Sequence, residues 1–142
     1  MDIRPLSPDF AVAPQITVAD VALLADAGFT HVICNRPPRE SAPDERPDVI
    51  RDAVVGAGMG FTDNPVSMNQ MTLDHIEVQG QAMTGKVLAY CASGTRSAVL
   101  WALAQAGKQP TDDIIKALTD AGYPLEQLRS QIDTLAQRQP AP

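Results

Sequence analysis

The feature that most constrains the fold is an apolar strand that runs into a short glycine-containing loop and then into an apolar helix. Residues 86–90 read Lys-Val-Leu-Ala-Tyr, the most apolar strand pattern of the chain. Residues 91–97 form the loop, and residues 98–104 are apolar on all sides. A helix of that kind is typical of burial against a sheet. The loop is therefore predicted to lie at the carboxyl end of a central strand.

Further strand and helix patterns alternate along the chain. Strands are predicted at 10–13, 29–34 and 61–66, and helices at 18–27 and from about 49 and 72. This alternation predicts an α/β fold of three layers, with a mainly parallel central sheet flanked by helices. The intervening stretch 36–47, rich in proline and charge, predicts an exposed loop.

Composition narrows the class of protein. The chain has 142 residues, of which 44% are hydrophobic, enough for one core. Its net charge of -6 argues against binding to nucleic acid or to an anionic membrane. The start lacks a secretory pattern, and no apolar run approaches the ~18 residues of a membrane span, so we expect a cytoplasmic protein. His31 and His75 have no partners at metal-ligand spacing, and we expect no metal and no cofactor.

The loop places Cys91 where a nucleophile is expected. The reactive form of cysteine is the thiolate, which must be stabilised by its surroundings. Backbone N–H groups at the start of a helix supply partial positive charge, and Arg96 adds a planar fork suited to oxyanions. Cys91 and Arg96 are the predicted catalytic residues. The predicted substrate-binding residues of the loop are Ala92, Ser93, Gly94, Thr95 and Ser97.

Residues 90–97, together with 32–37 and 100–103, resemble the beta-lactamase hydrolase-like proteins, whose fold is like that of dual-specificity phosphatases. The resemblance covers residues 1–108 and implies a phosphatase-like catalytic domain with Cys91 as nucleophile and Arg96 as anion clamp. Ala92 stands where relatives often carry a second arginine. We expect residues 109–138 to form a helical hairpin that packs on or extends the same domain, and residues 139–142 to form a disordered tail.

The spacing within the loop points to a different chemistry. Tyrosine and dual-specificity phosphatases place five residues between cysteine and arginine, whereas this chain has four. The pattern Cys-x-x-Gly-x-Arg-Ser is similar to the rhodanese loop, whose cysteine carries a persulfide. A phosphatase also needs a general acid, for which Asp63 is the best candidate, although an Asp-Asn-Pro sequence is equally an ordinary turn. Sulfur transfer needs no such acid.

The candidate site also includes two residues at the end of the predicted strand 29–34, Cys34 and Arg36. Cys34 could act as a second thiol that collects sulfur, although a buried structural role is the commoner one for such a residue. Arg36, two residues later, could touch substrate.

Three functions follow. The first is a sulfurtransferase that forms a persulfide on Cys91 from thiosulfate or a persulfide donor. The second is a phosphatase that hydrolyses phosphoesters through a phosphocysteine, and the third is a non-catalytic module that binds anions. All three imply a small anionic partner, and none fixes the oligomeric state.

Overall fold

The computed structural model describes residues 1–138, and the predicted tail at 139–142 lies outside them. Five strands form one sheet in the order β1-β2-β5-β3-β4. Their bounds are β1 Arg4–Ser7, β2 Phe10–Ala13, β3 His31–Cys34, β4 Gly60–Asp63 and β5 Val87–Tyr90. All neighbours pair in parallel except β1 with β2. The predicted α/β fold is confirmed, with β1 as a strand that the sequence patterns did not reveal.

In the described part of the chain, six α-helices cover the sheet. Their bounds are α1 Val18–Asp26, α2 Pro47–Gly56, α3 Leu73–Ala82, α4 Thr95–Ala104, α5 Thr111–Asp120 and α6 Arg129–Arg138. The predicted start of α1 is confirmed by a reciprocal capping box, in which Thr17 and Asp20 each bond the other's backbone N–H. Within residues 1–138, no helix is both long and apolar enough to cross a membrane.

Two hydrophobic cores lie on opposite faces of the sheet. The alternation of side chains along each strand sends neighbouring residues to different cores. One core joins the sheet to α1 and α2, through residues such as Leu24, Ile50 and Leu88. The other joins it to α4, α5 and α6, through residues such as Trp101 and Ile114. The central strand β5 is completely buried, which explains why its sequence is apolar throughout.

The stretch 36–47 is largely exposed, as the sequence predicts, but it is not irregular throughout. It folds into two 3-10 turns, Pro38–Glu40 and Pro43–Glu45, and both Pro37 and Pro47 are buried. Proline restricts the backbone and favours such tight turns. The first turn carries Glu40 to the start of α4, where it meets the candidate site.

Candidate active site

The loop 91–97 is fixed at both ends. On the side of β2, the Cys91 N–H donates to the Ala13 carbonyl at 3.4 Å, and the Gln15 N–H donates to the Ala92 carbonyl at 3.3 Å. On the other side the loop enters α4 through Gly94, which has a φ of 91°. Only glycine adopts that conformation readily, and a Cβ there would collide with the Tyr123 hydroxyl. The loop is thus preorganised.

The Gly94 N–H donates to the Cys91 sulfur at 3.1 Å. This contact aims a backbone dipole at the sulfur, beside the positive N-terminal end of α4. An N–H donor stabilises negative charge on the atom that accepts from it. The arrangement can therefore stabilise Cys91 as a thiolate, and Cys91 itself is buried at the foot of the loop.

Arg96 is held by Glu40 and by a carbonyl. Its Nη1 donates to Glu40 Oε2 and to the Val66 carbonyl, both at 3.0 Å, and its Nη2 donates to Glu40 Oε1 at 2.7 Å. Arg96 in turn lowers the pKa of Glu40, so the carboxylate stays charged at pH values at which an ordinary glutamate begins to be protonated. A guanidinium has five N–H groups, and these contacts use three of them. Within residues 1–138, the Nε and one Nη2 hydrogen have no hydrogen-bond acceptor, so they could donate to an anion.

Arg36 lies beside this ion pair. Its Nη1 donates to the Gln15 side-chain oxygen at 3.0 Å, and its Nε is 3.7 Å from Glu40 Oε1. That Nε is buried and has no hydrogen-bond partner in the structure. Arg36 therefore adds positive charge next to Arg96, since both guanidinium groups lie against Glu40.

Ser97 belongs to a buried polar network rather than to the sulfur. Its hydroxyl donates to Asn35 Oδ1 at 2.8 Å. The Asn35 amide also donates to Gln79 Oε1 at 2.9 Å and to the Asn64 carbonyl at 3.0 Å, and the Asn64 amide donates to Gln79 Oε1 at 3.0 Å. All four residues are almost completely buried. The network ties α4 to the ends of β3 and β4 and to α3.

The sequence profile of beta-lactamase hydrolase-like proteins, for their phosphatase-like domain, matches residues 2–108. The chain belongs to this family. That membership confirms the resemblance stated from the loop motif. The loop 91–97 lies within the residues that match, so it belongs to a phosphatase-like domain.

Several solved structures share the fold of this phosphatase-like protein. A candidate phosphatase of Neisseria meningitidis shares 34% identity, with a TM-score of 0.81 over 95% of this chain and 99% of its own. A candidate phosphatase of Shewanella putrefaciens shares 21% identity, with a TM-score of 0.73 over 97% of this chain and 92% of its own. Kinase-associated phosphatase, with serine in place of its catalytic cysteine, shares 13% identity and shows the same fold, with a TM-score of 0.70 over 96% and 93% of the two chains. No curated protein matches the sequence significantly.

Asp63 lies at the end of β4, apart from the loop. It pairs in register with Cys34, and burial raises the pKa of its carboxyl group. Residues in register on parallel strands project from the same face, so Asp63 shares the face of Cys34 and Tyr90. Within the described chain it makes no hydrogen bond or ion pair with residues 91–97.

Cys34 is buried in the core between the sheet and α1 and α2. Its thiol donates to the Arg36 carbonyl at 3.5 Å, and burial raises its pKa to about 11. A thiol of this kind is protonated at neutral pH and slow to attack another sulfur. The structure thus gives Cys34 the properties of a structural residue.

Residues 1–138 contain no group of three or more His, Cys, Asp or Glu side chains arranged to hold a metal ion. His31 bonds the Thr62 hydroxyl, and His75 caps α3 through Thr72.

The sequence patterns did not identify Glu40, Gln79 and Tyr123 as residues of the site or its surroundings. Their partners lie 56, 44 and 30 residues away along the chain, and no local pattern reports such contacts. Asn35 and Asn64 could have been found, because each directly follows a strand at the edge where sites form.

Proposed function

We propose that this protein hydrolyses phosphate monoesters through a phosphocysteine at Cys91. The observation that carries the proposal is the combined geometry of a Gly94 N–H on the sulfur and an Arg96 with an uncommitted N–H edge. A sulfur nucleophile beside a fixed guanidinium can attack a phosphorus whose oxygens the guanidinium holds. The 34% identical candidate phosphatase supports the same chemistry.

The reaction would proceed in two displacements. The Cys91 thiolate attacks phosphorus, a P–S bond forms, and the P–O bond to the leaving group breaks. Water then attacks phosphorus and breaks the P–S bond, which releases inorganic phosphate and restores the thiolate. Loop N–H groups other than that of Gly94, together with the free edge of Arg96, hold the phosphoryl oxygens, and Arg36 adds charge beside them.

Protonation of the leaving oxygen decides which esters react. Asp63 is our candidate acid because it ends β4 at the same edge of the sheet as the loop, and partial desolvation of this exposed side chain shifts the pKa of its carboxyl group upward. Since it makes no contact with the loop, we expect aryl esters, whose phenolate leaves without help, to react faster than alkyl esters.

Sulfur transfer is the second candidate, favoured by the four-residue spacing between Cys91 and Arg96. The same loop would then hold thiosulfate, and Cys91 would take its outer sulfur while sulfite leaves.

Parallel assays of aryl phosphate hydrolysis and of sulfur transfer from thiosulfate to cyanide separate the candidates. We expect hydrolysis by the wild type and a loss of at least ~10³-fold in Cys91→Ser, because the nucleophile is removed. Cys34→Ser is the matched control and should retain hydrolysis. Sulfur transfer without hydrolysis would contradict the proposal, and activity in neither assay would favour an anion-binding module.

A further inference from the structure

Tyr123 is brought to the loop by the end of α5. After Asp120 the chain reverses at Gly122, which has a φ of 95°. The Tyr123 N–H donates to the Leu118 carbonyl at 2.8 Å, and the Gly122 N–H donates to the Thr119 carbonyl at 3.0 Å. These two bonds form a Schellman motif, a rigid helix end. Tyr123 is therefore placed by backbone geometry, although it lies beyond the residues that the family profile matches.

The Tyr123 side chain rests on the loop. Its hydroxyl donates to the Ser93 carbonyl at 3.3 Å, and its ring is almost completely buried. The Arg4 guanidinium lies 5.2 Å from the ring centre and donates to the Ala121 carbonyl at 3.3 Å. Strand β1 and α5 together thus hold the ring in place.

One peptide unit connects Tyr123 to the sulfur. The Ser93 carbonyl, which accepts from Tyr123, and the Gly94 N–H, which donates to Cys91, belong to the same peptide group. A trans peptide is planar, and its C=O and N–H point in opposite directions. A hydrogen bond that fixes the carbonyl on one side therefore fixes the N–H on the other. Accepting at the oxygen also polarises the amide and strengthens its N–H as a donor.

We propose that Tyr123 is a positioning residue for the nucleophile, acting through the Ser93–Gly94 peptide that it holds against the Cys91 sulfur. The expected fall in kcat rests on the proposed function. The expected change in the reactivity of the Cys91 thiol does not, since alkylation can be measured without turnover. The hydroxyl touches neither sulfur nor substrate in this role.

The test compares Tyr123→Phe with Tyr90→Phe, the chain's other tyrosine. Within the described residues the Tyr90 hydroxyl makes no hydrogen bond to the loop, and it is buried beside Cys34 in the core on the opposite face of the sheet from Tyr123, so Tyr90→Phe is a matched control. The readout is the rate at which iodoacetamide modifies Cys91 at fixed pH, followed on the separated peptide, with thermal unfolding measured beside it.

We expect Tyr123→Phe to slow alkylation about fivefold, the effect of one lost hydrogen bond, while thermal unfolding remains a single cooperative transition whose midpoint falls only by the amount that one lost hydrogen bond explains. In turnover, kcat should fall while KM stays, because the Gly94 N–H bonds the sulfur and not the ester. Tyr90→Phe should match the wild type in alkylation. Unchanged alkylation in Tyr123→Phe, or equal slowing in both variants, would overturn the inference. Absence of phosphatase activity in the wild type would instead contradict only the proposed function.

Discussion

Glu40 determines how Arg96 faces the loop. The carboxylate takes the two terminal nitrogens of the guanidinium, and the Val66 carbonyl takes one further hydrogen. A bidentate contact of this kind fixes orientation as well as charge. Glu40 offsets the charge of Arg96 in part, but within the described residues it leaves the Nε edge without a protein acceptor. Preorganisation of that edge lowers the cost of binding an anion.

Glu40→Gln should therefore weaken substrate binding. The amide keeps the size of the side chain but replaces an acceptor oxygen with a donor, so one of the two Arg96 contacts is lost. We expect KM for an aryl phosphate to rise about tenfold, since misplaced positioning groups cost up to ~10²-fold.

Glu45→Gln, a change of the same type in the next turn, is the control and should leave KM unchanged. Steady-state kinetics measure both variants. Equal KM values for Glu40→Gln and the wild type would show that Arg96 does not depend on Glu40.

At the scale of elements, the amide network joins four pieces of secondary structure behind the loop. Helix α4 contributes Ser97, α3 contributes Gln79, and the ends of β3 and β4 contribute Asn35 and Asn64. Buried polar groups are expensive unless each finds a partner, and here they satisfy one another. The network therefore fixes the distance between the loop helix and the strand ends that surround it.

Gln79→Met should destabilise the fold by about 2 kcal/mol, because it leaves buried amide donors of Asn35 and Asn64 with one partner fewer. Gln81→Met is the matched control on the same helix, since Gln81 is exposed and bonds only Glu77. Urea unfolding of both variants measures the difference. A Gln79→Met protein as stable as Gln81→Met would contradict the stabilising role of the network.

At the scale of the whole molecule, the sequence predicts the layered α/β fold better than it predicts the residues around the candidate active site. The parallel sheet follows from apolar strands such as β5, and the cysteine loop follows from its motif, because both are encoded by neighbouring residues. Glu40 and Tyr123 are not predictable in this way, since a proline-rich turn and a helix end carry them to the loop from distant positions.

The C-terminal helices contribute to the site as well as to the core. Helices α5 and α6 bury Ile114, Leu118 and Ile132 in the core that contains α4. The alignment with the Neisseria meningitidis protein covers 95% of this chain, so it extends past residue 108. We propose that residues 109–138 belong to the same folding unit as the loop.

The most direct test of the central claim is mass spectrometry of the Cys91 peptide after acid quenching during turnover of an aryl phosphate. The account predicts a phosphoryl group on Cys91, absent from Cys91→Ser and present in Cys34→Ser. An unmodified Cys91 during hydrolysis, or a persulfide on Cys91 after thiosulfate in a protein that never acquires phosphate, would contradict it.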